Sequence, residues 1–363
     1  MNLSDFIAIT SPVKVHAARC IHQFSPRATC RKCLRSCPNG SIQLQGRMIS
    51  VEACDGCGRC IQACSQNVFE MDFPDAIAMP EGTGPLILAC RKEDFPDQPV
   101  LATGCLQQFT WLQLAMLVHR FGEVVLYADQ TKCADCENDW YPEAQMILME
   151  RYGLYDYAKQ IRIFRESDTM RAFLAETYGD LNTRREYMRK QLAHVKEVAE
   201  KYTRQSLEGY LEAFRETVHP AQALDFEKTQ SQTMLLHELF ADNTFDENER
   251  VCELPLEMLA ASRCRFCKTC EMLCPWQALA VIEKDGNAAL VHHDVLCARC
   301  GLCIDICPEN ALHWDHGLTA ADIAAPHWRI VAQGTGQMCA RCGELFYPTE
   351  DGQTLCAICR HKI

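Results

Sequence analysis

The sequence predicts a multidomain α+β protein. A small cysteine-rich module stands at each end, with an α/β parallel-sheet unit and a helical connector between them and a compact ribbon at the close. Three observations predict this. Cysteine occurs 25 times in 363 residues, mostly in runs of regular spacing interleaved with short alternating segments. Between the runs, apolar strands alternate with an amphipathic helix, the pattern of a sheet with crossover connections. From Asn182 to about Arg250 the cysteines stop, charge rises and apolar positions recur at helical spacing. The resulting division is 1–84, 85–181, 182–255, 256–318 and 319–363.

Composition bounds the function. An apolar share of 48% and a charged share of 23% are ordinary for a globular chain and argue against disorder. The opening MNLSDFIAITSPVKV has no basic n-region, long apolar core or twin-arginine pair, so the expected location is cytoplasmic. In a reducing compartment, closely spaced thiols are metal ligands rather than disulfide partners. No apolar run approaches the roughly 18 residues of a membrane span, so none is expected. A net charge of −12 argues against nucleic acid as the main partner, because phosphate binding needs clustered Lys and Arg. Docking to other proteins suits it better.

The second cysteine-rich module carries the plainest motif. Cys264, Cys267, Cys270 and Cys274 precede Pro275, and Cys297, Cys300, Cys303 and Cys307 precede Pro308, so C-x2-C-x2-C-x3-C-P occurs twice. The intervening ALAVIEKDGNAALVHHDV is two β-rich segments around Asp285, Gly286 and Asn287, a hairpin signature. The module resembles the bacterial-type ferredoxins with two [4Fe-4S] clusters, in which the fourth thiolate of each run reaches across to the other cluster. The resemblance implies one cluster on Cys264, Cys267, Cys270 and Cys307, and one on Cys297, Cys300, Cys303 and Cys274. Paired zinc sites are the alternative, but zinc favours two CxxC pairs over triplets with a crossing fourth ligand.

The first module repeats the design with changes. Cys54, Cys57, Cys60 and Cys64 form a full run, whereas only Cys30, Cys33 and Cys37 precede Pro38. Cys20 stands upstream, and a loop of that length can swing back to supply a fourth corner at small entropic cost. By the same resemblance, Cys20, Cys30, Cys33 and Cys64 form one set and Cys54, Cys57, Cys60 and Cys37 the other, with SIQLQGRMISV as the hairpin between runs. The stretched Cys20 position and Ser65 in place of proline depart from the pattern. A three-iron cluster with Cys20 as a bystander stays open.

In the middle, PLILAC, PVLATGC, EVVLYADQTKCADC and QIRIFR read as strands and QQFTWLQLAMLVHRFG as a helix. Cys90, Cys105, Cys133 and Cys136 fall at or just past strand ends, where open parallel sheets place their ligands. The segment 85–165 resembles the delta iron–sulfur subunit of hydrogenases that feed heterodisulfide reductase. That resemblance implies a [2Fe-2S] cluster on the four thiols; zinc on the same four and unligated core cysteines are the alternatives. His119 on the helix is expected to pack or face solvent.

Beyond the helical connector, FADNTFDENER reads as a linker and Cys252 as structural. The connector is either a plain spacer or a docking arm. After a linker with Gly334 and Gly336, the pairs Cys339/Cys342 and Cys356/Cys359 have the layout of a zinc ribbon, a closed S4 site, with a rubredoxin-like iron as the alternative. No nucleophile elbow, phosphate loop or dinucleotide fingerprint occurs, so a non-catalytic role is expected. Four [4Fe-4S] clusters, one [2Fe-2S] cluster and one zinc define a polyferredoxin-type electron-transfer subunit. Its expected partners are other subunits of an oxidoreductase complex, such as a formate dehydrogenase, hydrogenase or bifurcating flavoenzyme, and a soluble ferredoxin or flavoprotein. An iron–sulfur scaffold or assembly factor is the second hypothesis. A reductase binding flavin or nicotinamide in the α/β unit is the third.

Overall fold

The computed structural model describes residues 13–71, 84–90, 92–93, 100–134, 142–177, 232–242, 254 and 256–360. It is a mixed α/β, multidomain chain of small sheets. The first cysteine-rich module runs β1 (Val13–Val15), α1 (Ile21–Phe24), α2 (Lys32–Ser36), β2 (Ile42–Gln45), β3 (Met48–Val51), α3 (Arg59–Ala63) and β4 (Phe69–Met71). β2 and β3 form the hairpin expected from SIQLQGRMISV, and β1 pairs antiparallel with β4 to close the module.

The α/β unit runs β5 (Leu86–Cys90), β6 (Leu101–Thr103), α4 (Trp111–Phe121), β7 (Val124–Tyr127), α5 (Gln130–Ala134), α6 (Pro142–Arg151), α7 (Tyr155–Lys159), β8 (Ile161–Phe164) and α8 (Ser167–Thr177). Its strands form a parallel sheet in the order β6-β5-β7-β8. Both faces are covered, which is why β5 and β7 are continuous apolar runs instead of alternating ones. Leu86, Leu88, Val124 and Leu126 pack on α4 and its neighbours, while Ile87, Ala89, Val125 and Tyr127 pack on Met170 and Leu174 of α8. α4 starts at a capping box between Thr110 and Gln113 and stops at Gly122, whose φ of 78° is a left-handed stop that a side chain would strain.

Of the expected helical connector, residues 182–231, Cys252 and most of the FADNTFDENER segment lie outside the described residues. α9 (Gln232–Asp242) is described, and it extends through the first residues read as linker. Leu236, Leu239 and Phe240 share one apolar cluster with the sheet face and with Val295, Leu318 and Ile323. The helix therefore glues the α/β unit to the second module.

That module runs β9 (Met258–Ala261), α10 (Thr269–Leu273), β10 (Leu279–Lys284), β11 (Asn287–His293), α11 (Leu302–Ile306) and β12 (Leu312–Asp315), the same order of strand, helix, hairpin, helix and strand as the first. β12 pairs with β9 as β4 does with β1. Asp285 and Gly286 carry φ of 51° and 77°, the two positive angles of a type I′ turn. The chain continues through α12 (Ala320–Ala324), β13 (Trp328–Thr335), β14 (Gln337–Met338), β15 (Leu345–Phe346) and α13 (Ala357–Arg360). β13 adds to β11 as a third antiparallel strand. Gly334, expected in a linker, is thus inside a sheet, where a Cβ would lie 2.9 Å from the Phe266 ring.

The two modules dock directly. Ile21 and Ala28 of the first pack against Leu302 and Ile306 of α11. The Thr29 backbone N–H and hydroxyl both donate to the Asp305 carboxylate at 2.7 and 2.9 Å. The buried Trp276 indole N–H donates to Gln66 Oε1 at 2.8 Å. Among the described residues, no helix is long and apolar enough to cross a membrane.

Candidate metal centres

The cysteine runs fold by a shared local rule. Three residues past the last thiol of every run, the backbone is left-handed: Gly40, Asn67, Gln277 and Asn310 have φ of 62°, 50°, 49° and 49°. This folds the chain back, so that the next amide faces the sulfur. Ser41 N–H donates to Cys37 Sγ at 3.3 Å, Ala278 to Cys274 at 3.4 Å and Ala311 to Cys307 at 3.3 Å. At Cys64, which burial pushes up, the Val68 amide acts in the opposite direction in the same way. Ser65 changes nothing here: Asn67 N–H still reaches Cys64 O at 3.3 Å, against 3.2 Å for Gln277 on Cys274.

The start of each full run follows a second rule. Gly56, Phe266 and Arg299, two residues past the first thiol, have φ of 75°, 54° and 51°. Their amides each donate to that thiol, Cys54, Cys264 and Cys297, at 3.4 Å. The incomplete run lacks this winding. Arg27 stands where its first thiol would fall and reaches Ile306 O in the second module at 3.4 Å. Cys20 lines the space instead.

Three thiol quartets each line one cavity. Cys20, Cys30, Cys33 and Cys64 line one, here called the Cys33 site. Cys274, Cys297, Cys300 and Cys303 line a second, the Cys300 site. Cys264, Cys267, Cys270 and Cys307 line a third, the Cys270 site. The remaining quartet is the Cys60 site, where burial and the neighbouring Cys54 and Cys57 push the Cys60 thiol up to about 12. Burial, then Cys64, Cys20 and Cys30, likewise raise Cys33 to about 12. Cys270 reaches about 12 through burial, Cys264 and Cys267. Thiols so crowded cannot ionise together without a cationic centre among them, and a bound metal would supply that charge. The donor set, the enclosed space and the amide-to-sulfur bonds all fit an iron–sulfur cage.

Cys267 is an exposed residue, whereas the four cysteines of the Cys300 site are half-buried, so the Cys270 site lies nearer the surface of the second module. The Cys300 site has a buried titratable group in its wall. His292 is 1% exposed with Nδ1 3.1 Å from Asp294 Oδ1, and Arg329 Nε lies 3.1 Å from Asp294 Oδ2. Burial works against protonation of His292, but Asp294 and the Cys297 sulfur outweigh it and hold it at about 9. Sequence reasoning missed this group; the HHD triplet next to the thiol run was its only signal.

In the α/β unit the structure brings three expected thiols together at the carboxyl end of the sheet. Cys90 ends β5, Cys105 follows β6 and Cys133 lies on α5; Cys136 is outside the described residues. Burial, with Cys90 and Cys133, raises Cys105 to about 11, and Cys57 of the Cys60 site is near enough to add to it. Glu93, also unforeseen, ties the thiol loops together. Its buried carboxylate accepts from Asp129 N–H at 2.9 Å and pairs with Lys132 Nζ at 2.7 Å. His119 bonds Tyr157 at 3.1 Å and takes no part in the site.

The ribbon has a different geometry. The sulfurs of Cys339, Cys342, Cys356 and Cys359 all lie within 4.8 Å of one another. Cys342 and Cys356 are 3.8 Å apart, and a tetrahedron with zinc–sulfur bonds of about 2.3 Å has edges of about 3.8 Å. The set suits one ion rather than a cage. Cys339 is pulled down to about 6, chiefly by the Cys356 amide, whose N–H donates to it at 3.3 Å.

Residues 263–311 match the 4Fe-4S dicluster domain family. No curated protein and no solved structure matches the chain. The matched segment contains the Cys300 and Cys270 sites. The chain is thus an iron–sulfur protein with at least one 4Fe-4S centre, and electron transfer is the role that such a domain suggests.

Proposed function

We propose that this chain is the iron–sulfur electron-transfer subunit of a redox complex. The Cys60, Cys33, Cys300 and Cys270 sites would each hold a [4Fe-4S] cluster. Cys90, Cys105, Cys133 and Cys136 would hold a [2Fe-2S] cluster, and the ribbon a zinc. When bound, the clusters supply reversible one-electron chemistry with little rearrangement. The chain's own residues half-bury most of these cysteines and aim amides at their sulfurs, with Cys267 the exposed member of the Cys270 site. In the proposed division the ribbon begins after Thr335, because β13 belongs to the sheet of the second module.

The observation that carries this reading is the repeated folding of each run so that backbone N–H groups meet its sulfurs. Such bonds are a principal means of setting a cluster's potential. A formate dehydrogenase, hydrogenase or bifurcating flavoenzyme at one end, and a soluble ferredoxin or flavoprotein at the other, are the proposed partners. An anaerobic redox titration followed by absorbance and electron paramagnetic resonance tests the proposal. Reversible reduction at low potential, with onward transfer to an oxidised viologen, supports it. Clusters that stay oxidised under dithionite would favour a scaffold.

A further inference from the structure

We infer that the thiol sites stand in a single unbranched file: the site of Cys90, Cys105 and Cys133 (the Cys105 site), then the Cys60 site, Cys33 site, Cys300 site and Cys270 site. The first module is the bridge. This rests on the proposed reading of the sites as cluster-bearing and adds their order, which neither the motifs nor the match to one domain contains.

Inside the first module the Cys60 and Cys33 sites border one apolar cluster, which Cys20, Cys33, Cys54 and Cys60 share, and three further junctions set the order. At the first, α3 of the first module lies on the loop that carries Cys105. Arg59 Nε donates to Gln107 Oε1 at 3.1 Å, and Gln62 Nε2 donates to Gln107 O and to Phe109 O. The approach is so close that a Cβ on Gly58 would sit 2.6 Å from Gln108 Cβ. Gly58 lies between Cys57 and Cys60, so the Cys60 site faces the α/β unit.

The second junction joins the modules. The cavity of the Cys33 site has Cys300 in its wall. Cys30 and Cys300 border the same apolar cluster, which Ile21 and Leu302 fill. Gln66 and Trp276, each two residues past a crossing thiol, meet in a buried hydrogen bond. The Cys33 site therefore faces the Cys300 site, and the Cys60 site is turned away from it. The third junction lies inside the second module, where Cys270 and Cys303 border the same apolar cluster, filled by Leu279, Leu290 and Leu312.

The α/β unit and the second module also touch, but across α9. That helix offers Leu236, Leu239 and Phe240 to the contact, so hydrocarbon separates the thiols on that route. The file thus has two ends, the α/β unit and the exposed Cys267.

The test uses the full chain, loaded anaerobically and fully reduced, with magnetic coupling between centres read by electron paramagnetic resonance and iron counted per chain. In Cys30→Ala/Cys33→Ala, about four irons of roughly 18 should be lost, together with coupling between the modules. In Cys54→Ala/Cys57→Ala, a similar iron loss should leave coupling between the modules intact and remove that to the Cys105 site. The opposite pattern overturns the order. Gly58→Ala removes no ligand, so it carries the test should the cysteine variants fail to fold. It should retain wild-type iron and weaken only the coupling of the Cys105 and Cys60 sites, and unchanged coupling there overturns the first junction. Wild-type chain without iron would instead overturn the reading of the sites themselves.

Discussion

Replacing Gln66 by Leu perturbs the joint between the two cysteine-rich modules without touching a thiol. Trp276 is 7% exposed and Gln66 5% exposed, and the indole N–H donates to the Gln66 side-chain oxygen at 2.8 Å. With Leu in place, the indole N–H is left in an apolar joint beside Ala278 and Ala298. An orphaned buried donor costs about 1–3 kcal/mol, more than the roughly 1 kcal/mol net worth of the bond itself. Gln66→Leu should therefore lose about 2 kcal/mol. Trp276→Phe on its own should lose a comparable amount, from the smaller ring and an unpaired amide oxygen. The double variant should lose less than the two single losses added, since both polar partners go together, with a coupling of about 1 kcal/mol. Anaerobic denaturant titration of the four proteins, followed by near-ultraviolet circular dichroism, measures the cycle. Strict additivity, or a Gln66→Leu loss below about 0.5 kcal/mol, would refute the docking of the modules through this bond.

Further outcomes follow from the same geometry. Cys20→Ala should turn the Cys33 site into a three-iron centre, seen as a new signal in the oxidised protein; an unchanged spectrum would make Cys20 a bystander. Cys342→Ser should release the zinc and leave the iron count unchanged, as measured by elemental analysis, with the segment after Met338 becoming open to proteolysis because the ion supplies its folding energy. Asp294→Asn should cost about 3 kcal/mol in urea titration, since it strands Arg329 and the buried His292 at the join of β11 and β13. Thr110→Ala, which removes the cap of α4, should cost about 1 kcal/mol by thermal unfolding.

What was legible in the sequence was local. A cluster loop is encoded by thiols separated by two or three residues, so the runs, their hairpins and the Asp285–Gly286 turn could be read directly. The buried parallel sheet announced itself through LILA and VVLY, which only a strand covered on both faces explains. Pairings between distant segments were not legible. β13 reads as a strand or a linker until β11 is seen beside it. Ile21, Ala28, Leu302 and Ile306 sit on short segments where any apolar residue passes for the core of its own module. The thiol absent from the first run is legible, but not that Arg27 at its place sets its guanidinium against the neighbouring module. α9 was placed in a connector of unknown purpose, and its apolar residues turn out to join the α/β unit to the second module. The full middle quartet is not legible in the described structure, since Cys136 lies outside it.

The most direct measurement is the iron, acid-labile sulfide and zinc content of the full chain, prepared anaerobically. The account predicts about 18 irons, matching sulfide and one zinc per chain from the ligand sets above. A value of about ten irons would leave one of the two modules empty, and a colourless, iron-free chain would contradict the account outright.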